Sequence, residues 1–280
     1  GSHLCKYFSE NGYLVRALVR NFNPQRWIGF GNISEFKCNL PTDIDVKAFD
    51  DSDYIIHCAY LIKIKDLNEA KSVNIQGSKK LIELSKQNPK IKFVFLSTTS
   101  AKSDALSFYG QSKYEVENML DLNKDLIIRT GLVIGNGGLF KRMVDSIKKF
   151  HIVPLFAGGK QLIQTIFIDD LCIGIKIAIE NNISGRINLV EKDAYEIKYF
   201  YRQLAQNLNI RCLYINIPIN PVIKIFRILE KLNLHLPVNS QNLLGLKKLE
   251  STNVLKDIEL LRFEPRSFDE IIKSGVLKLN

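Results

Sequence analysis

The chain has 280 residues, enough for one large α/β domain or for a nucleotide-binding domain with a smaller lobe, and enough to bury a full core. With 46% hydrophobic and 24% charged residues it is no disordered chain; its apolar runs are too short and too polar to cross a bilayer, and its first residues lack the basic-then-apolar order of a secretory signal. The net charge of +10 suits anionic ligands, but the 39 Lys and Arg are spread along the chain rather than gathered into a stripe with interleaved aromatics, which argues against nucleic acid.

Short β-rich runs alternate with helical patterns. YLVRALVR (13–20), DYIIHCA (53–59), KFVFLST (92–98) and DLIIRTGLVIG (125–135) are apolar on nearly every position, as strands covered on both faces must be. Between them DLNEAKSVNIQGSKKLIELSKQ (66–87) and FYGQSKYEVENMLDLN (108–123) carry apolar residues three and four apart and predict helices. That order describes a parallel sheet wound by right-handed crossovers, with ligands at the carboxyl ends of its strands.

After residue 136 the rhythm loosens. GLFKRMVDSIKKF (138–150) predicts a helix, IVPLFAGG (152–159) a strand and turn, and IDDLCIGIKIAIENN (168–182) a helix with Asp169 and Asp170 at its positive end. PVIKIFRILEKLNLHLP (221–237) is bracketed by prolines and places Val222, Ile225, Phe226, Leu229 and Leu232 on one face, which predicts core packing; its basic character leaves a membrane surface as the alternative. No internal repeat or low-complexity linker is visible. The five cysteines (Cys5, Cys38, Cys58, Cys172, Cys212) include no CxxC and the four histidines are singletons, so small buried residues in a reducing compartment are expected, with no metal site. A soluble cytoplasmic protein without stable membrane insertion is the expectation.

Within LSFYGQSKYEVENML (106–120), Tyr109 and Lys113 stand four apart, so on a helix both reach one point. A free tyrosine holds its proton to about pH 10, and a neighbouring ammonium with a positively charged nicotinamide nearby favours the phenolate. So tuned, it takes a proton from an alcohol while hydride leaves for the cofactor. The YxxxK spacing alone is common, and an ordinary surface helix is the competing reading.

Three neighbours weigh against the ordinary reading. STTS (97–100) sets hydroxyls at the carboxyl end of a predicted central strand, where a substrate oxygen needs a donor. DYIIHCAY (53–60) ends a strand with small Cys58 and Ala59, which let a cofactor approach the backbone. Asn74 sits inside a helix it does not favour, a local inconsistency of the kind functional sites tolerate.

Together GSHLCKYFSENGYLVRALVR, DYIIHCAY, VNIQGSKKLIELS, FVFLSTTS, YGQSKYEVE, IIRTGLVIG, IFIDDL and LLRFEPRSFDEIIKSGV resemble, in order and over essentially the whole chain, the extended short-chain dehydrogenase/reductase family of nucleotide-sugar epimerases, dehydratases and 4-ketoreductases. The resemblance implies a Rossmann-type doubly wound parallel sheet with a smaller C-terminal α/β substrate lobe: a dinucleotide-binding domain over 1–135, to which 164–190 return, and a substrate lobe from 136–163 and 191–280. It makes Tyr109 the acid/base and Lys113 the ligand of the nicotinamide ribose that lowers the tyrosine pKa. Thr98 becomes the donor to the reacting oxygen, with Ser97 and Thr99 as alternatives. Asn74 matches the family's structural and cofactor-side asparagine, Cys58, Ala59 and Tyr60 its backbone edge along the cofactor, and Thr130 and Leu132 complete the implied cofactor set. Family members often dimerise through the helices here at 66–87 and 108–123, which makes a homodimer an open expectation.

The family opens with a strand and a glycine-rich GxxGxxG turn whose amides and helix dipole hold the pyrophosphate. This chain begins at GSHL, which resembles the last glycine of that turn, Gly1, and the start of its helix. An N-terminally truncated Rossmann domain is therefore expected, with cofactor binding crippled and a sheet edge exposed if the strand is truly missing; a leftover expression tag is the alternative. After the next strand, Arg20 replaces the acidic residue that usually accepts the NAD ribose 2′-hydroxyl, so NADP is expected ahead of NAD. Asn39 is a candidate adenine neighbour.

Other departures narrow the reaction. The family's 4,6-dehydratases follow the catalytic Thr with Asp-Glu, whereas Thr98 is followed by Thr99 and Ser100, which removes the acid and base for loss of water. Where UDP-galactose 4-epimerases carry an asparagine and an arginine, Leu132 and Ile163 stand. Contacts to a substrate diphosphate then fall to Lys141, Arg142 or Lys160, with solvated surface the alternative for each. Ten residues separate Thr98 from Tyr109, fewer than in sugar-nucleotide members, so an open or incomplete pocket is expected. A nucleoside-diphosphate sugar, most readily a UDP-sugar, is the expected substrate, handled by 4-epimerisation or 4-keto reduction. Reduction of a non-sugar ketone, or nucleotide binding without catalysis, are the alternatives.

Overall fold

In the computed structural model, which describes residues 1–62, 66–232 and 240–277, helices and strands alternate from the start. Helix α1 (Ser2–Glu10) leads into strands β1 (Val15–Val19), β2 (Ile33–Asn39), β3 (Asp43–Ile44) and β4 (Tyr54–His57). Helices α2 (Leu67–Lys71) and α3 (Gly77–Gln87), joined by a π turn (Ser72–Gln76), precede β5 (Lys92–Thr98), α4 (Phe108–Glu117), β6 (Leu126–Thr130) and β7 (Leu132–Ile134). Next come α5 (Gly138–Phe150), β8 (Ile152–Phe156), β9 (Leu162–Ile163), β10 (Thr165–Phe167), α6 (Ile168–Glu180), β11 (Gly185–Leu189), β12 (Tyr195–Glu196), α7 (Ile197–Asn207) and β13 (Leu213–Ile217). Helices α8 (Ile219–Lys231), α9 (Ser240–Lys247), α10 (Leu255–Leu261) and α11 (Phe268–Lys273) follow. The chain is α/β, and its strand pairs β1–β2, β4–β5, β7–β10 and β8–β13 are parallel.

One compact unit comprises Gly1–Ser97, Ser112–Ile128 and Ile175–Ile187. Its main sheet runs β11-β6-β5-β4, and β1, β2 and β3 form a second sheet in which β3 returns antiparallel. Six of the seven residues of β5 are buried, which is why its sequence shows no polar alternation. Phe93 and Phe95 anchor the core, packed with Leu81, Ile82 and Leu84 of α3 and Val116 of α4. Burying each such ring stabilises the fold by about 1.5–3 kcal/mol. Asp66 starts the α2 stretch by accepting from the Asn68 and Glu69 amides, an N-cap that satisfies orphan donors.

The second unit comprises Thr98–Gln111, Arg129–Gly174 and Asn188–Asn280. Its core gathers Ile134, Phe140, Val144, Ile147, Phe200 and Phe268. The single predicted strand over 125–135 is broken: β6 belongs to the four-stranded sheet, whereas β7 pairs with β10. Gly131 marks the break, because a Cβ there would overlap the Gln164 carbonyl oxygen. Asp170, read from sequence as a helix-dipole partner, is buried and gripped by Arg266, whose backbone amide donates at 2.8 Å and whose Nε donates at 3.0 Å. The Arg266 guanidinium also lies 4.8 Å from the Phe167 ring centre.

The amphipathic stretch 221–237 forms α8 only to Lys231, and residues 233–237 lie outside the described residues. Its buried seam is only part of the predicted face. Ile219 and Ile223 pack with Leu243, Val222 and Phe226, while Ile225 and Leu232 are 54% and 65% exposed. The seam is rotated because the apolar residues of α9 meet the helix at its Ile219–Ile223 edge. Among the described residues no helix is long and apolar enough to cross a membrane, no group of His, Cys, Asp and Glu could hold a metal, and the five cysteines are free.

Glu191 is the electrostatic hub of the second unit. Fully buried, it accepts from the backbone amides of Thr165 at 2.6 Å and Phe268 at 2.7 Å, tying β10 to the start of α11. Burial pushes its carboxyl up to about 7, and the amide bonds act in the opposite direction. Because the folded value exceeds the ordinary one, this group's contribution to stability is present below the ordinary carboxylate range and is lost as pH rises through about 7. Glu191→Ala is expected to cost about 2–4 kcal/mol in urea unfolding, since it strands two buried amides, and Glu191→Gln to flatten the loss of Tm between pH 5 and 8.

Candidate active site

In the second unit, β5 ends at Thr98 and the chain turns at once. The Ala101 amide donates to the Thr98 carbonyl at 3.0 Å, the Ser100 amide to Thr98 Oγ1 at 3.3 Å, and the Thr99 amide to the Thr130 carbonyl at 3.0 Å. Helix α4 then starts on Ser107, whose Oγ accepts from the Gly110 amide at 3.2 Å. Glycine is required at 110, because a Cβ there would stand 2.5 Å from the Ser100 carbonyl oxygen. This close approach carries Tyr109 to Thr98, and their side chains hydrogen-bond.

Tyr109 is 40% exposed. Burial pushes the phenol above its ordinary value, with the Thr98 hydrogen bond working against it. The expectation of a phenol lowered by its lysine neighbour is therefore not met in this state.

Lys113 lies one turn further along α4, in the first unit, and is 4% exposed. Its Nζ donates to the Leu96 carbonyl at 2.6 Å and sits 4.4 Å from the Phe95 ring centre and 5.2 Å from that of Tyr60. Burial pushes the ammonium down to about 8, while Cys58 and Glu117 favour the charged form. Glu117, a further turn on and buried, accepts from Ser97 Oγ at 2.6 Å and pairs with Arg186 Nε at 3.2 Å. The sequence reading missed Glu117, although it repeats the four-residue spacing of Tyr109 and Lys113. The same bond engages Ser97, one of the two alternatives to Thr98.

The loop after β4 carries the other first-unit candidates. Asn74 is held in the π turn, accepts from the Leu61 amide at 2.6 Å and donates to the Leu61 carbonyl at 3.2 Å. The residue that disfavours a helix thus sits where the helix widens, and it pins the loop. Cys58 has its thiol pushed up by burial, with Gly1 and Lys113 within electrostatic range, and Ala59 is exposed. Tyr60 shares a hydrogen bond of 2.9 Å with Ser112 Oγ. His57 is kept neutral by burial, its pKa lowered to about 3, and bonds Ser78 Oγ at 2.8 Å.

Arg20 is exposed just past β1, and its backbone carbonyl accepts from Lys37 Nζ at 2.8 Å. Asn39 ends β2 opposite Asp43. In the second unit, Thr130 is buried at the end of β6, Leu132 is half-buried opposite Thr165, and Ile163 is core. Lys141 is engaged with Asp145 at 2.8 Å on an exposed helix face. The short connection before Tyr109 is pinned by Lys102 to Glu250 at 2.7 Å and by Asp104 to Lys248. Ser100, Leu106 and Gly245 help to enclose a cavity of about 10 Å³ beside it, room for about one water.

The profile of the NAD dependent epimerase/dehydratase family matches residues 1–190. The fold is similar to that of UDP-glucuronic acid 4-epimerase from Bacillus cereus, solved with UDP-glucuronic acid and NAD, at 19% identity and a TM-score of 0.74 over 100% of this chain and 95% of that one. It is also similar to UDP-glucose 4-epimerase from Thermotoga maritima, solved with UDP-glucose (17% identity, TM-score 0.70, 98% and 93% covered). A third similar structure is dTDP-glucose 4,6-dehydratase from Bacillus anthracis, solved with NAD (16% identity, TM-score 0.69, 99% and 91% covered). No curated protein matches the chain.

Because one side chain holds both backbone groups of Leu61, Asn74→Ala is expected to cost about 1–3 kcal/mol. Amide exchange of residues 59–62 should accelerate well beyond that of β5, which hydrogen-exchange mass spectrometry resolves.

Proposed function

The chain belongs to the NAD-dependent epimerase/dehydratase family, and on that premise we propose that it transfers a proton and a hydride at C4 of a nucleoside-diphosphate sugar, a UDP-sugar above all, by 4-epimerisation or 4-keto reduction. The observation that carries this reading is the Thr98–Tyr109 hydrogen bond, with the Lys113 ammonium one helical turn behind. Tyr109 gives its phenolic proton to the ketone oxygen as the adjoining carbon becomes an alcohol, and in the reverse direction it recovers that proton. Thr98 holds the phenol through this bond and, when substrate arrives, turns its single hydroxyl proton to the reacting oxygen. A nicotinamide dinucleotide, when bound, supplies or accepts the hydride.

The residues present fit such a group. Lys113 is a buried cation suited to ribose hydroxyls, Ala59 is exposed after β4, and Arg20 is exposed just past β1. An arginine there favours a 2′-phosphate, and so NADP, over a bare ribose. The absence of Asp-Glu after Thr98 supports simple proton and hydride exchange over loss of water.

Tyr109→Phe is expected to lower kcat by about 10²–10⁴-fold while nucleotide affinity stays within about twofold, because only the proton donor is lost. The assay is NADPH consumption with 4-keto sugar nucleotides, run beside NMR of sugar interconversion without added reductant; full activity in the variant would sink the proposal. Arg20→Glu should weaken NADP binding by about 10–100-fold and spare NAD, as loss of a charge-assisted phosphate contact requires; isothermal titration with both nucleotides decides it.

A further inference from the structure

A buried ammonium must find partners, and Lys113 finds few polar ones. One N–H reaches the Leu96 carbonyl at 2.6 Å, and the nearby Glu117 carboxylate already binds Ser97 and Arg186. What remains is aromatic. Phe95 presents its ring at 4.4 Å and Tyr60 at 5.2 Å, both inside the roughly 6 Å reach of a cation–π contact. Phe95 is fixed by the core of its strand. Tyr60 lies instead in the loop after β4, and its hydroxyl is tied at 2.9 Å to Ser112, the residue next to Lys113 on α4. The chain thus uses a tyrosine whose oxygen locks the ring over the amine.

We propose that Tyr60 is a positioning residue for Lys113: pinned by Ser112, its ring forms with Phe95 a two-sided aromatic cage that keeps the amine charged and fixed for the dinucleotide ribose. This rests on the reading of Lys113 as the ribose-binding ammonium. From the sequence Tyr60 offered only a backbone edge; the structure gives its side chain a separate task. The other titratable groups facing Lys113 are the Cys58 thiol after β4, His57 within β4 and Glu117 on α4. His57 is neutral near pH 7, while the thiol and the carboxylate both favour the charged amine. Removing the Tyr60 ring withdraws a further stabiliser of the same charge.

The test is an NMR titration of the full chain carrying isotope-labelled lysine, with the Lys113 signal assigned through Lys113→Arg. Tyr60→Leu is expected to lower the Lys113 midpoint by roughly one pH unit, and Tyr60→Phe, which keeps the ring but loses the Ser112 pin, to lower it by less. Should Tyr60→Leu not fold, a ring-fluorinated phenylalanine at position 60, compared with Tyr60→Phe, keeps the volume while draining the ring face and must lower the midpoint in the same direction. The alkaline limb of kcat/KM should move down in parallel. A loss of Tm with no movement of the midpoint means ordinary packing and overturns the proposal. A midpoint that moves in a protein inactive on every sugar nucleotide upholds the cage and refutes the reading of function; activity with a fixed midpoint does the reverse.

Discussion

Polar bonds tie the end of β5 to α4 within each unit. In the first unit the Leu96 carbonyl receives Lys113 and Ser97 binds Glu117; in the second, Thr98 binds Tyr109. A strand alternates its side chains and a helix repeats every three to four residues, so this match needs a backbone acceptor in the middle of the set and hydroxyls beside it. Everything proposed for the chemistry depends on that register. A slip of one residue in β5 would turn the Thr98 hydroxyl away and bury Leu96 differently.

Burial acts with opposite sign on the two groups of greatest chemical interest. It raises the phenol of Tyr109 and lowers the ammonium of Lys113. Their proton affinities, close together in free side chains, are therefore driven apart, one acid made weaker and the other stronger. The hydrogen bond from Thr98 opposes the first shift, and Cys58 and Glu117 oppose the second. Such tuning by low polarity is cheap in residues, since it uses the core that folds the sheet. It also demands that every remaining donor find a partner, which explains why Ser97, Ser112 and Glu117 are polar yet buried.

The C-terminal part of the chain solves a similar problem without evident chemistry. Glu191 and Asp170 are buried carboxylates, and each collects backbone amides from residues 266–268. Long loops there cannot pair in a ladder, so side-chain acceptors take the place of strand partners. The segment RFEPRSFDEIIKSGV folds around these two acids and the capping box of Ser267 and Glu270.

By itself the sequence determined the alternating α/β order, the buried strand KFVFLST, the helix carrying Tyr109 and Lys113, and the family, because apolar periodicity and short motifs are local properties. Asn74 was legible as a misfit in its helix, and the π turn around it explains why. What only tertiary structure decided is the pairing across distance. Which of three hydroxyls meets Tyr109, that Glu117 and Arg186 share a buried bond, that Tyr60 covers Lys113, and that α8 buries Ile223 rather than Ile225 all follow from how remote segments pack. Periodicity names the face of a helix within a turn or so, and side-chain partners are fixed only when another surface arrives to fill it.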